Sequence, residues 1–172
     1  MKVKKLMIPV GEYRTVSKDA TFGEVAAALV DSGHRDVIVV DGDGNLAGVL
    51  TMIDLMVALE PNYKKLGKRD LNSDTLSNRY VADIFKEFDL WSDTLGKVCQ
   101  KGHSTKVSEA MYVPAEAEYL DENDSLEHAI HRFIVGTHQP LLVRQNGAIT
   151  GVLRLSDVFE EITKRMLVCD GE

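Results

Sequence analysis

The chain repeats itself, and this repeat constrains its fold more than any other feature. At a shift of 104 residues Val3 falls on Val107, Met7 on Met111, His34 on His138 and Val39 on Val143. Thr21 with Ser125, Leu29 with Phe133 and Val37 with Leu141 are conservative matches in between. One residue then drops out in a turn. At a shift of 103, Gly44 falls on Gly147, Gly48 on Gly151, Val49 on Val152, Leu50 on Leu153 and Asp54 on Asp157. Ordered matches over 3–60 and 107–165 with one gap describe two copies of one unit. The predicted division is a first repeat over 1–60, an insertion over 61–106 and a second repeat over 107–172.

Each copy reads β-α-β-β-α. A short extended piece comes first, Arg14-Thr15-Val16 or Glu118-Tyr119-Leu120. A helix start follows: Thr21 with Glu24 has capping-box spacing, and so does Asp124 with Glu127, an Asp cap. Phe22, Val25, Ala26 and Leu29, like Leu126, Ala129, Ile130 and Phe133, then recur at helical spacing. Gly33 and Gly136 are placed to end these helices. Next come an apolar strand (37–40 or 141–143), a glycine turn (41–45 or 145–147) and a second strand (46–50 or 149–153). A last helix begins near Thr51 or Arg154. A unit of about 60 residues leaves one sheet face bare, so the two should pack through their sheets into one α+β body.

Residues 60–106 carry nine basic and seven acidic side chains, against five and twelve in 107–172. Pro61 and Gly67 mark a turn, Val81, Ile84, Phe85 and Phe88 share one helix face, and Trp91 and Leu95 add apolar surface. Residues 101–104 read as a connecting loop. The segment is either a helical embellishment or a partner surface built on Trp91 and the phenylalanines.

A net charge of −7 argues against general nucleic-acid binding. The apolar runs fall far short of the ~20 residues a membrane helix needs, and the N-terminus lacks a signal-peptide core. Cys99 and Cys169 have no CxxC spacing, so a cytoplasmic protein with two spectator thiols is expected. Asp41-Gly42-Asp43-Gly44-Asn45 fails as a calcium loop because position 52 is Met and 46 is Leu. Gly42-x-Gly44 with Gly48 misses the dinucleotide fingerprint and joins two strands. His128 and His131 lack further metal ligands, and no nucleophilic constellation stands out. No catalytic or metal site is expected.

The feature that survives is Gly48-Val49-Leu50-Thr51-Met52-Ile53-Asp54, echoed by residues 151–157. A strand runs into a helix, and Asp54 and Asp157 fall in the first helical turn. A helix start suits phosphate, and a carboxylate suits a ribose diol. The alternative is that Thr51 and Asp54 only cap the helix.

The duplicated unit, its glycine turn and the Gly-h-h-Thr-x-x-Asp close resemble the CBS domain, and the tandem resembles a CBS pair, or Bateman module. The resemblance covers both repeats and leaves 61–106 uncovered. It implies β-α-β-β-α units paired through their sheets, adenine nucleotides or adenosyl ligands in clefts between repeats, regulation of a partner protein, and a homodimer. Asp54 and Asp157 match the ribose-binding aspartate and Thr51 the hydroxyl position, where the second copy has Arg154. Arg154 either holds phosphate or blocks its cleft. Arg35 matches a phosphate-contacting position, where the second copy has Gln139. Val37 and Leu141 match the strand lining the adenine pocket, and Thr15 and Tyr119 match cleft positions. With Thr51, Asp54 and Arg35 the first set looks the more complete, so one ligand per chain is expected. AMP, ADP, ATP or S-adenosylmethionine is the implied regulatory ligand, with no cofactor required. The alternative is a ligand-free dimerisation scaffold.

Overall fold

The computed structural model describes residues 1–66, 78–92, 94–136 and 138–169. The first unit contains β2 (Thr15–Ser17), α1 (Phe22–Ser32), β3 (Asp36–Val40), β4 (Leu46–Thr51) and α2 (Met52–Leu59), after a two-residue strand β1 (Ile8–Pro9). The insertion supplies α3 (Asn78–Glu87) and α4 (Thr94–Ser104). The second unit contains β5 (Leu120–Asp121), α5 (Leu126–Val135), β6 (Leu141–Gln145), β7 (Ala148–Leu153) and α6 (Leu155–Cys169). This is the predicted α+β body. One sheet runs β2-β3-β4 and the other β1-β7-β6-β5. β2 lies parallel to β3 and β5 to β6, while the hairpins are antiparallel. Ile38 and Val49 of one sheet meet Leu142 and Val152 of the other in a single buried cluster that also takes in Tyr13.

The local chemistry explains the element ends. Thr21 and Glu24 form the expected capping box, with Thr21 N donating to Glu24 Oε2 at 2.7 Å. Gly33 ends α1 in the left-handed region, at φ +66°. Two expectations need correction. The cap of α5 is Ser125, whose hydroxyl accepts from His128 N at 3.2 Å, because Asp124 Oδ2 is engaged by Asp121 N in the preceding turn. Gly136 closes α5 in extended backbone, φ −81° and ψ 159°, and is therefore no left-handed cap.

The N-terminal pieces of the two copies change places. β1 pairs with β7, so Ile8 sits opposite Val152. The repeat-equivalent Tyr112 bridges Val49 of the first sheet. Val3 is fully buried in the second unit's core and Val107 in the first's. The backbone repeats the exchange: Val3 N donates to Asp124 O and Val107 N to Ala20 O, both at 3.0 Å. Burying each valine favours the exchange by about 1.5–3 kcal/mol. The exchange also accounts for the repeated glycines. A Cβ on Gly48 would stand 2.7 Å from Tyr112 O, and one on Gly151 would stand 2.7 Å from Ile8 O. Both strands approach too closely for any side chain.

The insertion is tied to the first unit. Glu60, 2% exposed, accepts from Asn62 N at 3.0 Å and from Trp91 N at 2.9 Å. Trp91 Nε1 donates to Tyr63 Oη at 3.1 Å, and Lys101 Nζ donates to Leu59 O. Residues 101–104 form the last turn of α4 rather than a loop. The backbones of Gly102 in α4 and Gly23 in α1 pass close together: a Cβ on Gly23 would be 3.4 Å from Gly102 O. The predicted apolar helix face exists, yet Val81 and Phe85 are exposed. Gly67 lies outside the described residues.

Candidate functional site

β4 delivers Thr51 to the start of α2, where Thr51 and Asp54 make a capping box. Thr51 Oγ1 accepts from Asp54 N at 3.1 Å. Asp54 Oδ2 accepts from Thr51 N at 2.8 Å and from its hydroxyl at 2.7 Å. Asp54 Oδ1 accepts no hydrogen bond among the described residues. The pair therefore caps the helix with one carboxylate oxygen and keeps the other available.

Asp54 lines a pocket of about 570 Å³, open mouth included, with Val49 and Thr51 on the same wall. The opposite wall comes from the second repeat: Tyr112, Pro114 and Glu118 after the exchanged strand, Arg132 and Gly136 at the end of α5, and residues 138–142 entering β6. Tyr112 stacks on His138 with centroids 3.5 Å apart and planes 6° apart. Its hydroxyl donates to Glu118, which also accepts from Ala115 N at 2.6 Å and faces His138 Nδ1 at 3.6 Å. Burial, and then the bond to Glu118, push the Tyr112 phenol up to about 12. The same bond holds the Glu118 carboxyl below its usual range. Arg132 is turned onto Ala117 O.

In the second repeat the equivalent carboxylate is engaged by its own helix start. Arg154 donates from Nε to Asp157 Oδ2 at 2.8 Å and from Nη2 to Oδ1 at 2.6 Å. A bidentate, charge-assisted pair of this kind is the strong form of the interaction, and it occupies both carboxylate oxygens. Hydrogen bonding to Asp157 raises the Arg154 pKa further. Arg154 also lines a wider trough with His34, Arg35, Asp36, Met52, Ile53, Met56, Leu155 and Phe159. Thr51, Gln139 and Pro140 are common to this trough and the Asp54 pocket. Tyr13, 5% exposed, stacks on His34 at 4.8 Å and donates its hydroxyl to Asp36. Burial raises the pKa of both Tyr13 and Asp36.

The structure therefore crosses the sequence sets. Thr51 and Asp54 share a pocket with Gln139 and Leu141, while Arg35 faces Arg154 across the trough. Arg35 makes no ion pair among the described residues. Val37 is fully buried in the first unit's core and lines no described pocket. Thr15 is an exposed edge residue opposite Ile38. Tyr119 lines a third hollow, beneath Arg144 at 5.0 Å from its ring centroid. Tyr112, His138 and Glu118 had no place in the sequence reading of the site. One signal was available, since Tyr112 falls on Ile8 in the repeat alignment, an aromatic in place of an aliphatic residue.

Two β-α-β-β-α units packed through their sheets, with a pocket walled by both, define a tandem-repeat architecture. Residues 3–61 match the family model of the CBS domain. CBS-pair protein CBSX2 from Arabidopsis thaliana is similar over 96% of each chain, with a TM-score of 0.65 at 17% identity. CBSX2 in complex with AMP is similar over 96% of this chain and 98% of that one, with a TM-score of 0.63 at 17% identity. A CBS-domain-containing protein from Agrobacterium tumefaciens is similar over 94% of this chain and 99% of its own, with a TM-score of 0.63 at 20% identity. No curated protein matches the chain. The first unit is a CBS domain, and the chain as a whole has the CBS-pair fold.

Proposed function

We propose that the chain is a ligand-sensing regulatory module that holds one adenine nucleotide in the Asp54 cleft. The observation that carries this reading is the pocket itself, in which one repeat offers Asp54 and Thr51 and the other offers residues 138–142. Asp54 Oδ1 is placed to accept from a ribose hydroxyl, and Thr51 sits at the helix start, where an anion is favoured. Arg35, which makes no ion pair among the described residues, lines the adjoining trough that shares Thr51, Gln139 and Pro140 with this pocket, and on this reading meets a phosphate that extends into the trough. The AMP bound by CBSX2 supports the ligand class. A ligand contacting both repeats biases their arrangement by about 2.7 kcal/mol at 100 times its dissociation constant. That is enough to shift a balanced equilibrium and so to inform a partner protein. No catalytic step is assigned.

Calorimetric titration with AMP, ADP, ATP and S-adenosylmethionine tests the reading. One of them should bind at a single site, and Asp54→Ala should remove the signal. Silence toward all four would refute the proposal. The scaffold reading is favoured by the Arg154–Asp157 pair, and such silence would leave it standing.

A second copy is the expected partner. Ile53 is 66% exposed on α2 and Phe159 is 65% exposed on α6, beside Met52, Met56 and Leu155. A homodimer through this face should sediment as a dimer and dissociate in Ile53→Glu. No helix among the described residues is long and apolar enough to cross a membrane.

A further inference from the structure

The hollow between the two hairpin turns shares no residue with the Asp54 pocket or with the trough. It measures about 1020 Å³, open mouth included. The first repeat contributes Val40 and residues 44–46, and the second contributes Arg144 and residues 147–149. The repeat alignment sets Arg144 on Val40, and both hairpins break register there, between Val39 and Val40 and between Val143 and Arg144. A break of this kind re-aims side chains, and both residues line the hollow. Val40, Leu46 and Ile149, packed against the buried cluster between the sheets, give it an apolar floor. Among the described residues that line it, Arg144 is the one cation and Glu116 the one anion. The guanidinium lies over the Tyr119 ring, 5.0 Å from its centroid, and the Arg144 side chain is 31% exposed. Glu116, its ion-pair partner, is 80% exposed. A pair with so exposed a partner is weak, because solvent screens it and ordering the long side chain costs entropy. Ring and floor therefore hold the cation in place, and the Glu116 carboxylate shows what group it accepts.

We propose that this hollow is a second ligand site, for a small apolar carboxylate whose acid head replaces Glu116 on Arg144 and whose tail covers the floor. A carboxylate head can take two parallel hydrogen bonds from a guanidinium, a geometry that a lysine could not supply. The tail removes Val40, Leu46 and Ile149 from water. Both sheets line the hollow, so an occupant touches both repeats and gives the module an input separate from the Asp54 pocket. The assignment does not depend on what the Asp54 pocket binds.

The test is calorimetric titration of the full chain with octanoate, with 1-octanol as the uncharged control. Octanoate should bind at one saturable site, about 10-fold or more tighter than octanol. Arg144→Gln should weaken octanoate by about the same 10-fold. Glu116→Gln, at an exposed position, should tighten it about 3-fold, because the internal competitor for Arg144 is gone. Asp54→Ala should leave it unchanged. Uptake that does not saturate, equal binding of octanoate and octanol, or a Glu116→Gln variant no tighter than wild type overturns the proposal. Loss of octanoate binding in Asp54→Ala would place the ligand in the other pocket and overturn it equally. Should Arg144→Gln fail to fold, the Glu116→Gln and octanol arms still decide.

Discussion

Replacing Gly48 by alanine sets a methyl carbon 2.7 Å from the carbonyl oxygen of Tyr112, and 3.1 Å from Met111 Sδ. The methionine can swing away, but the carbonyl belongs to the exchanged strand and accepts from Val49 N at 2.8 Å. Overpacking costs about 1–3 kcal/mol, and each backbone hydrogen bond at risk adds about 1 kcal/mol. Alanine returns about 0.4–1 kcal/mol by restricting the unfolded chain. The net expectation is a loss of about 2–4 kcal/mol, which for a chain of this size lowers Tm by roughly 4–16 °C. Gly151→Ala makes the same intrusion, 2.7 Å from Ile8 O and 2.8 Å from Met7 Sδ, and should cost a similar amount. The two variants should part in binding. Only Gly48→Ala displaces Tyr112, so only it should weaken AMP beyond what instability explains. Urea melts with calorimetry read both quantities. Loss of less than about 0.5 kcal/mol in either variant would refute the close-approach account, and equal effects on AMP would refute the link to the site.

Arg154→Thr installs the first repeat's residue in the second and uncovers Asp157, so the stoichiometry of adenine-nucleotide binding should rise from one to two by calorimetry. Tyr13→Phe tests the buried phenol. Its raised pKa means the folded state keeps a proton that the unfolded chain releases above pH 10 or so, and stability therefore falls as pH rises beyond that point by about 1.4 kcal/mol per unit. The variant should lose that part of the alkaline slope in pH-dependent urea melts. Glu60→Ala leaves Asn62 N and Trp91 N without their buried acceptor and should cost about 1–3 kcal/mol, with the Trp91 fluorescence shifting before the global transition.

Much of this fold could be read from the residues. The helix starts at Thr21 and Thr51, the left-handed stop at Gly33 and both hairpins are local matters of capping and turn chemistry, which a sequence states directly. The exchange of the terminal strands could not be read. An alignment of the repeats matches Ile8 with Tyr112 equally well whether each serves its own copy or the other, because the choice depends on tertiary packing. The same blindness crossed the site. Thr51, Asp54 and Arg35 are neighbours in the aligned copy, but the sheets bring Gln139 and Leu141 to Asp54 and leave Arg35 opposite Arg154. Tyr119 lines a separate hollow, while Tyr112 reaches the Asp54 pocket by way of the exchanged strand. Arg154 was read with two opposed roles, and nothing in the sequence signalled its bidentate grip on Asp157.

The traded strands also bear on the history and handling of the chain. A break anywhere in 61–106 would yield two fragments, each short of an edge that the other carries. Such fragments should be useless singly and should reassemble when mixed. A duplication that has reached this state cannot shed either half, so the halves were free to diverge in chemistry while remaining bound together in architecture.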